Sequence, residues 1–177
     1  MKKILLLLLV SIAFSSCEKD DVCTEETTPR VVLEFYDITN NATLKNVVNL
    51  VVQADGAATP IVFNTALPVT DATRYLFNGN KLKLPLKIDD TTTKYSLILN
   101  STSTTGGVNE DFLQFDYAHQ NVYVSRACGY KTTFNLNNPG GVTNTDAATP
   151  DSFWIKDINI ITYNITTENE THIKIYF

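Results

Sequence analysis

The feature that most limits what this chain can become is an alternation of period two. Lys81-Leu82-Lys83-Leu84-Pro85-Leu86-Lys87 sets Leu82, Leu84 and Leu86 on one side of an extended backbone and Lys81, Lys83 and Lys87 on the other. Residues two apart share a face in a strand, so the segment reads as a half-buried strand. Pro85 has no N–H to give a ladder and places that strand at a sheet edge. Ten further runs lie at 31–36, 47–54, 60–64, 73–78, 93–99, 111–118, 121–126, 129–136, 153–163 and 171–177. Turn chemistry separates several of them: Asp55-Gly56, Gly106-Gly107, the 137–141 stretch, and Asn78-Gly79, which reads as a hairpin turn between Tyr75-Leu76-Phe77 and Leu82-Lys83-Leu84. The 24 threonines fit the same picture, because β-branched side chains suit a pleated, half-buried surface. The expectation is an all-β domain, an antiparallel β-sandwich of immunoglobulin-like type with about 9–11 strands.

A membrane barrel is the competing β architecture, since the chain ends on the alternating His172-Ile173-Lys174-Ile175-Tyr176-Phe177. Barrel strands need about 9–11 residues to span lipid and tolerate few charges on the lipid face. Most runs here are shorter and carry lysine. The last run is therefore read as a sandwich strand with Ile173, Ile175 and Phe177 facing inward.

Ahead of this domain stands a different kind of segment. Lys2-Lys3 precede Ile4 to Phe14, which are apolar except for Ser11. That stretch is too short for a membrane-spanning helix of about twenty residues and reads as the apolar core of an export signal, helical before cleavage. Phe14-Ser15-Ser16-Cys17 then resembles the bacterial lipoprotein signal. The resemblance implies removal of residues 1–16 and a diacylglycerol on the Cys17 thiol, usually with a further acyl chain on the new amine. Two or three acyl chains make attachment essentially permanent, where one is marginal. The following Glu18-Lys19-Asp20-Asp21 resembles the surface-export signal of Bacteroidota lipoproteins, implying an outer-membrane protein exposed at the cell surface. A periplasm-facing protein with a merely solvated acidic spacer is the alternative. The chain thus divides into a signal peptide at 1–16, an acidic tether at 17–29 carrying lipidated Cys17, and a single β domain at 30–177.

Charge narrows the partners. The whole chain has 14 Lys and Arg against 19 Asp and Glu, and loss of Lys2 and Lys3 with the signal takes the net from -5 to -7. Nucleic acid is disfavoured, because phosphate binding needs a basic face, and anionic lipid head groups are disfavoured for the same reason. The expected partners are the membrane, through Cys17, and an unidentified protein or glycan ligand. Two cysteines remain. Cys23 and Cys128 would share an oxidising compartment, where paired thiols form disulfides, and on that ground a bridge is expected. Two free buried thiols or a fragment of a metal site are the alternatives. A bridge would leave six Cα steps between Cys17 and Cys23, a leash of at most ~20 Å.

Residues able to do chemistry are sparse. A catalytic histidine needs a nucleophile and an orienting acid within reach. His119, in an expected turn at Ala118-His119-Gln120-Asn121, and His172, at the start of the last strand, have neither by spacing and read as surface residues. Asp89-Asp90 and Glu110-Asp111 read as solvated turn acids, with no spacing that matches a calcium loop. No cofactor-binding, metal-binding or nucleophile motif is present, so no cofactor, no metal and no enzymatic activity are expected. One binding idea survives. If Val122, Val124, Phe153 and Ile155 point inward, Tyr123 and Trp154 point outward, and two exposed rings could stack on sugar.

The Cys17-Glu18-Lys19-Asp20-Asp21-Val22-Cys23 segment, Pro29-Arg30-Val31-Val32-Leu33-Glu34-Phe35-Tyr36-Asp37 and Ser125-Arg126-Ala127-Cys128-Gly129-Tyr130 together resemble a family of small Bacteroidota lipoproteins of unknown function. The resemblance supports the anchor and a Cys23–Cys128 pairing. It implies no activity, substrate or catalytic residue.

Overall fold

The computed structural model describes Cys23 and residues 27–177. The signal, Cys17 and the Glu18-Lys19-Asp20-Asp21 segment lie outside the described residues. Twelve strands follow in chain order: β1 (Val31–Asp37), β2 (Asn40–Leu44), β3 (Val47–Ala54), β4 (Phe77–Gly79), β5 (Lys81–Leu84), β6 (Thr92–Leu99), β7 (Asn109–Ser125), β8 (Gly129–Leu136), β9 (Val142–Asp146), β10 (Asp157–Ile160), β11 (Asn164–Ile165) and β12 (Ile173–Tyr176). One 3-10 turn, Ala72–Tyr75, interrupts them, its first turn capped by the Asp71 side chain. No helix among the described residues is long and apolar enough to cross a membrane.

The strands form two sheets, so the expected all-β sandwich is present. The smaller sheet runs β10-β12-β1-β2, with β5 also on β1. The larger runs β11-β8-β7-β6-β3-β4, with β9 also on β7. Their facing sides meet in one core. Val31, Leu33 and Phe35 from β1, Leu82 and Leu84 from β5, and Ile173 and Ile175 from β12 are buried together with Leu50, Val52, Tyr95, Leu97, Leu113, Phe115 and Tyr117 of the larger sheet. Alternation puts these residues there, and complete burial of such a side chain is worth about 1.5–3 kcal/mol.

The pairing departs from the expectation in one respect. β1 and β12 are parallel, Leu33 opposite Ile173 through Tyr36 opposite Tyr176. The other ladders are antiparallel. The first strand of the domain therefore lies between β12 on one edge and β5 and β2 on the other.

Several local readings are corrected. Segments 111–118 and 121–126 are one 17-residue strand, so Ala118-His119-Gln120-Asn121 is not a turn. Asn78-Gly79 closes no hairpin: it ends β4 in the larger sheet, and β5 belongs to the smaller one. Segment 60–64 has no strand, and 153–163 retains only Asp157–Ile160. β5 stops at Leu84, because the next residue is Pro85. Polar β2, β9 and β11 form where no apolar alternation announced them.

β7 organises the larger sheet. Its first half pairs with β6 along one edge and with β9 along the other. Its second half, from Tyr117, pairs with β8. β8 and β9 are in effect one strand broken by an excursion at 137–141, where the Asp116 N–H donates to the Gly141 carbonyl and the Asn137 N–H donates to the Asp116 carbonyl. Glycine is required at this corner, since a Cβ on Gly141 would lie 2.5 Å from the Asn137 carbonyl oxygen.

Candidate functional site

Beyond His119 the β7–β8 hairpin has no further strand paired to it among the described residues. Residues 121–123, 126, 127 and 130 are exposed, in contrast to the buried positions that alternate along the first half of β7. Tyr123 and Tyr130 sit directly opposite each other on the two strands, and a cross-strand pair of this kind stabilises a hairpin. Their ring centroids are 5.4 Å apart at 70°, yet Tyr123 remains 55% and Tyr130 71% exposed. At the turn Gly129 adopts φ +67°, a left-handed conformation that glycine takes without penalty, and the Ser125 hydroxyl accepts the Cys128 N–H.

This tip is where the N-terminal segment is fastened. Cys23 and Cys128 form a disulfide with Cα atoms 4.9 Å apart. Five residues further on, the Thr28 hydroxyl accepts the Thr132 N–H of β8. Arg30 then closes a clasp on Glu168. Its Nε and Nη2 donate to the two carboxylate oxygens at 2.7 and 2.8 Å, and its backbone N–H donates to Oε1 at 3.0 Å. Lys83 of β5 reaches the same carboxylate at 3.0 Å. The Arg30 hydrogen bonds, helped by Lys83 and opposed by burial, hold the Glu168 carboxyl down to about 2. The described residues ahead of β1 are thus bonded to the rest of the domain at Cys23, Thr28 and Arg30.

Trp154 is placed opposite to its expected position. It is 5% exposed, its ring packs near Phe35 and Phe177, and its indole N–H donates to the Leu97 carbonyl at 3.1 Å. The reason is local. Segment 153–156 is not a strand, so parity does not apply, and Trp154 and Ile155 are both buried despite being neighbours. The Asp111 carboxylate catches the Ile155 N–H at 2.7 Å and fixes this inward loop. Tyr123 and Trp154 therefore share no platform. Tyr123 has Tyr130 as its neighbour instead, and two rings at 70° present no common stacking plane.

His172 and Asp111 are not the solvated residues that were expected. His172 is fully buried, and its Nδ1 accepts the Val32 N–H at 2.8 Å while its backbone N–H donates to the Val32 carbonyl. Burial pushes its pKa down, against the pull of Glu170, the Thr167 carbonyl and Glu168. The ring is a neutral acceptor completing the β1 edge. His119 lies in β7 beside a recess lined by Gln120, Thr133, Asn135 and Asn164, and its buried Nδ1 has no hydrogen-bond partner among the described residues. Asp111 is fully buried, and burial raises its pKa despite the Ile155 N–H. Asp89 and Asp90 are exposed turn residues. Among the described residues no three His, Cys, Asp or Glu side chains come together as a metal-binding group.

Sequence reasoning singled out Cys23, Cys128 and Tyr123 in this region and missed Tyr130, Arg30 and Glu168. Tyr130 follows only from the hairpin register. Arg30 and Glu168 are 138 residues apart, with no local signal to join them. Comparison with curated proteins and with solved structures gave no match. A family of unknown function, DUF6452, matches residues 49–177, from β3 through β12, and the chain belongs to that family.

Proposed function

We propose that this is a lipid-anchored lipoprotein of the outer membrane, exposed at the cell surface, whose β domain binds or supports a partner without catalysing a reaction. The observation that carries the reading is Phe14-Ser15-Ser16-Cys17 placed six residues ahead of Cys23, a cysteine the fold uses as its fastening point. A disulfide in the domain fits an oxidising compartment outside the cytoplasm. The use of His172 as a buried backbone acceptor supports a non-catalytic domain, since one of the chain's two histidines has a structural task.

The test is a Cys17→Ala variant compared with wild type by cell fractionation and by protease shaving of intact cells. Wild type should fractionate with membranes and be shaved from whole cells, and the variant should leave the membrane fraction. Equal solubility of the two proteins would refute the lipid anchor. A membrane-bound wild type that resists shaving would place the domain on the periplasmic side.

A further inference from the structure

We infer that the tip of the β7–β8 hairpin rests in the head-group layer of the bilayer that holds the anchor, with Tyr123 and Tyr130 as interfacial side chains and Arg126 and Lys131 toward lipid phosphates. The inference rests on the lipid-anchor reading of Cys17. It starts from where the chain outside the described residues must end. Cys17 and Cys23 are six Cα steps apart, at most ~20 Å. Cys23 is bonded to Cys128, Cα to Cα 4.9 Å, and Tyr130 is two residues beyond Cys128. The tip can thus lie no further than roughly 30 Å from the lipidated residue. The other end of β7, at Asn109, is roughly 50 Å from the tip at about 3.3 Å per residue. An anchored molecule is held by one end.

What that end carries suits a lipid surface. Tyrosine presents an apolar ring and a polar hydroxyl, which is why it concentrates at membrane–water boundaries. Two such rings stand paired and exposed here. The local charge is also reversed relative to the chain. Between Asp116 and Asp146 there is no Asp or Glu, while Arg126 and Lys131 lie at the tip of a protein whose net charge is -5. Lys131 also donates to the Thr166 carbonyl at 3.3 Å. The five acids between Glu18 and Glu26 flank Cys23 in the sequence, so attraction to anionic lipid is not the driving term. The leash supplies a high effective concentration, and weak ring and phosphate contacts then suffice to orient the domain. Its far end, with the 100–108 and 147–153 loops, points away from the membrane and is the face offered to partners.

The experiment uses the full-length lipidated protein in vesicles of phosphatidylethanolamine and phosphatidylglycerol, with p-benzoylphenylalanine in place of Tyr130 or, as a control, of exposed Val108 beside Asn109. Flotation reports anchoring, and photo-adducts with lipid report contact. Lipid adducts should be severalfold more abundant at position 130 than at 108. Arg126→Glu with Lys131→Glu should lower the yield at 130 without changing flotation. Equal yields at the two positions in protein that floats would overturn the inference and leave the anchor standing. Protein that does not float would refute the anchor itself, and the inference with it.

Discussion

Replacing Glu168 by Gln removes the charge from the clasp that seats the start of the domain while keeping the side chain's shape. The carboxyl falls from 4.5 to about 2 in the folded protein because Arg30 and Lys83 donate to it. At about 1.4 kcal/mol per pKa unit that drop corresponds to ~3.4 kcal/mol as an upper bound. Solvent screens part of this, since the Arg30 and Lys83 side chains are 48% and 36% exposed, against 22% for Glu168. A net loss of about 1–2 kcal/mol is expected at neutral pH, or ~2–8 °C in Tm for a domain of this size. The pH dependence identifies the source. A carboxylate with a depressed folded-state pKa stabilises the fold above its unfolded value, and that contribution is lost as pH falls from 4.5 toward about 2. Wild type and Glu168→Gln should therefore differ most near neutrality and converge at the acid end. Urea unfolding followed by tryptophan fluorescence at a series of pH values measures this directly. An equal difference at both ends would show that packing, not charge, links Arg30 to Glu168, and the electrostatic reasoning would be refuted.

Three further perturbations probe other parts of the molecule. Trp154→Ala should cost about 3–5 kcal/mol through the cavity it leaves, and Trp154→Phe about 1–3 kcal/mol as the buried Leu97 carbonyl loses its donor, both read from denaturant midpoints. His172 has a folded-state pKa below the ordinary 6.5, so the unfolded chain takes up its proton first and stability should fall as pH drops from neutral through that value; a His172→Gln variant should lack this limb, and a wild-type midpoint that is flat across the window would sink the idea. Cys23→Ser with Cys128→Ser opens a loop of 105 residues' separation and should cost up to about 4.7 kcal/mol, seen as a lower urea midpoint than that of the oxidised protein.

What could be read from the residues was the part of the fold with one wet face and one dry face. β5, β6 and the first half of β7 alternate because one side of each meets the core, and period two records that contrast. β2 is exposed at all five positions, so nothing in its pattern separates it from a loop. Trp154 was misplaced because parity was extended through a segment that is not a strand. His172 was misplaced because it has no partner by spacing in the sequence, whereas in the fold its ring is buried and accepts the Val32 N–H from 140 residues away. Tyr123 and Tyr130 each had a visible strand, but their contact depends on register, and register is a property of two strands together.

The ties that fasten the N-terminal end share one property: each reaches far forward in the sequence. Cys23 bonds to Cys128, Arg30 to Glu168, and β1 pairs in parallel with β12. Parallel pairing requires a crossover connection, and here that crossover is nearly the whole domain. Closing such contacts costs loop entropy before it returns any binding energy, so the β1 edge and the clasp form only when the last strand is available. A chain synthesised from its N-terminus meets this condition only once its last strand has been made. By the same argument the seating of Arg30 on Glu168 is a consequence of complete folding. The residues that would hold the protein near a membrane are thereby coupled to those that finish its core.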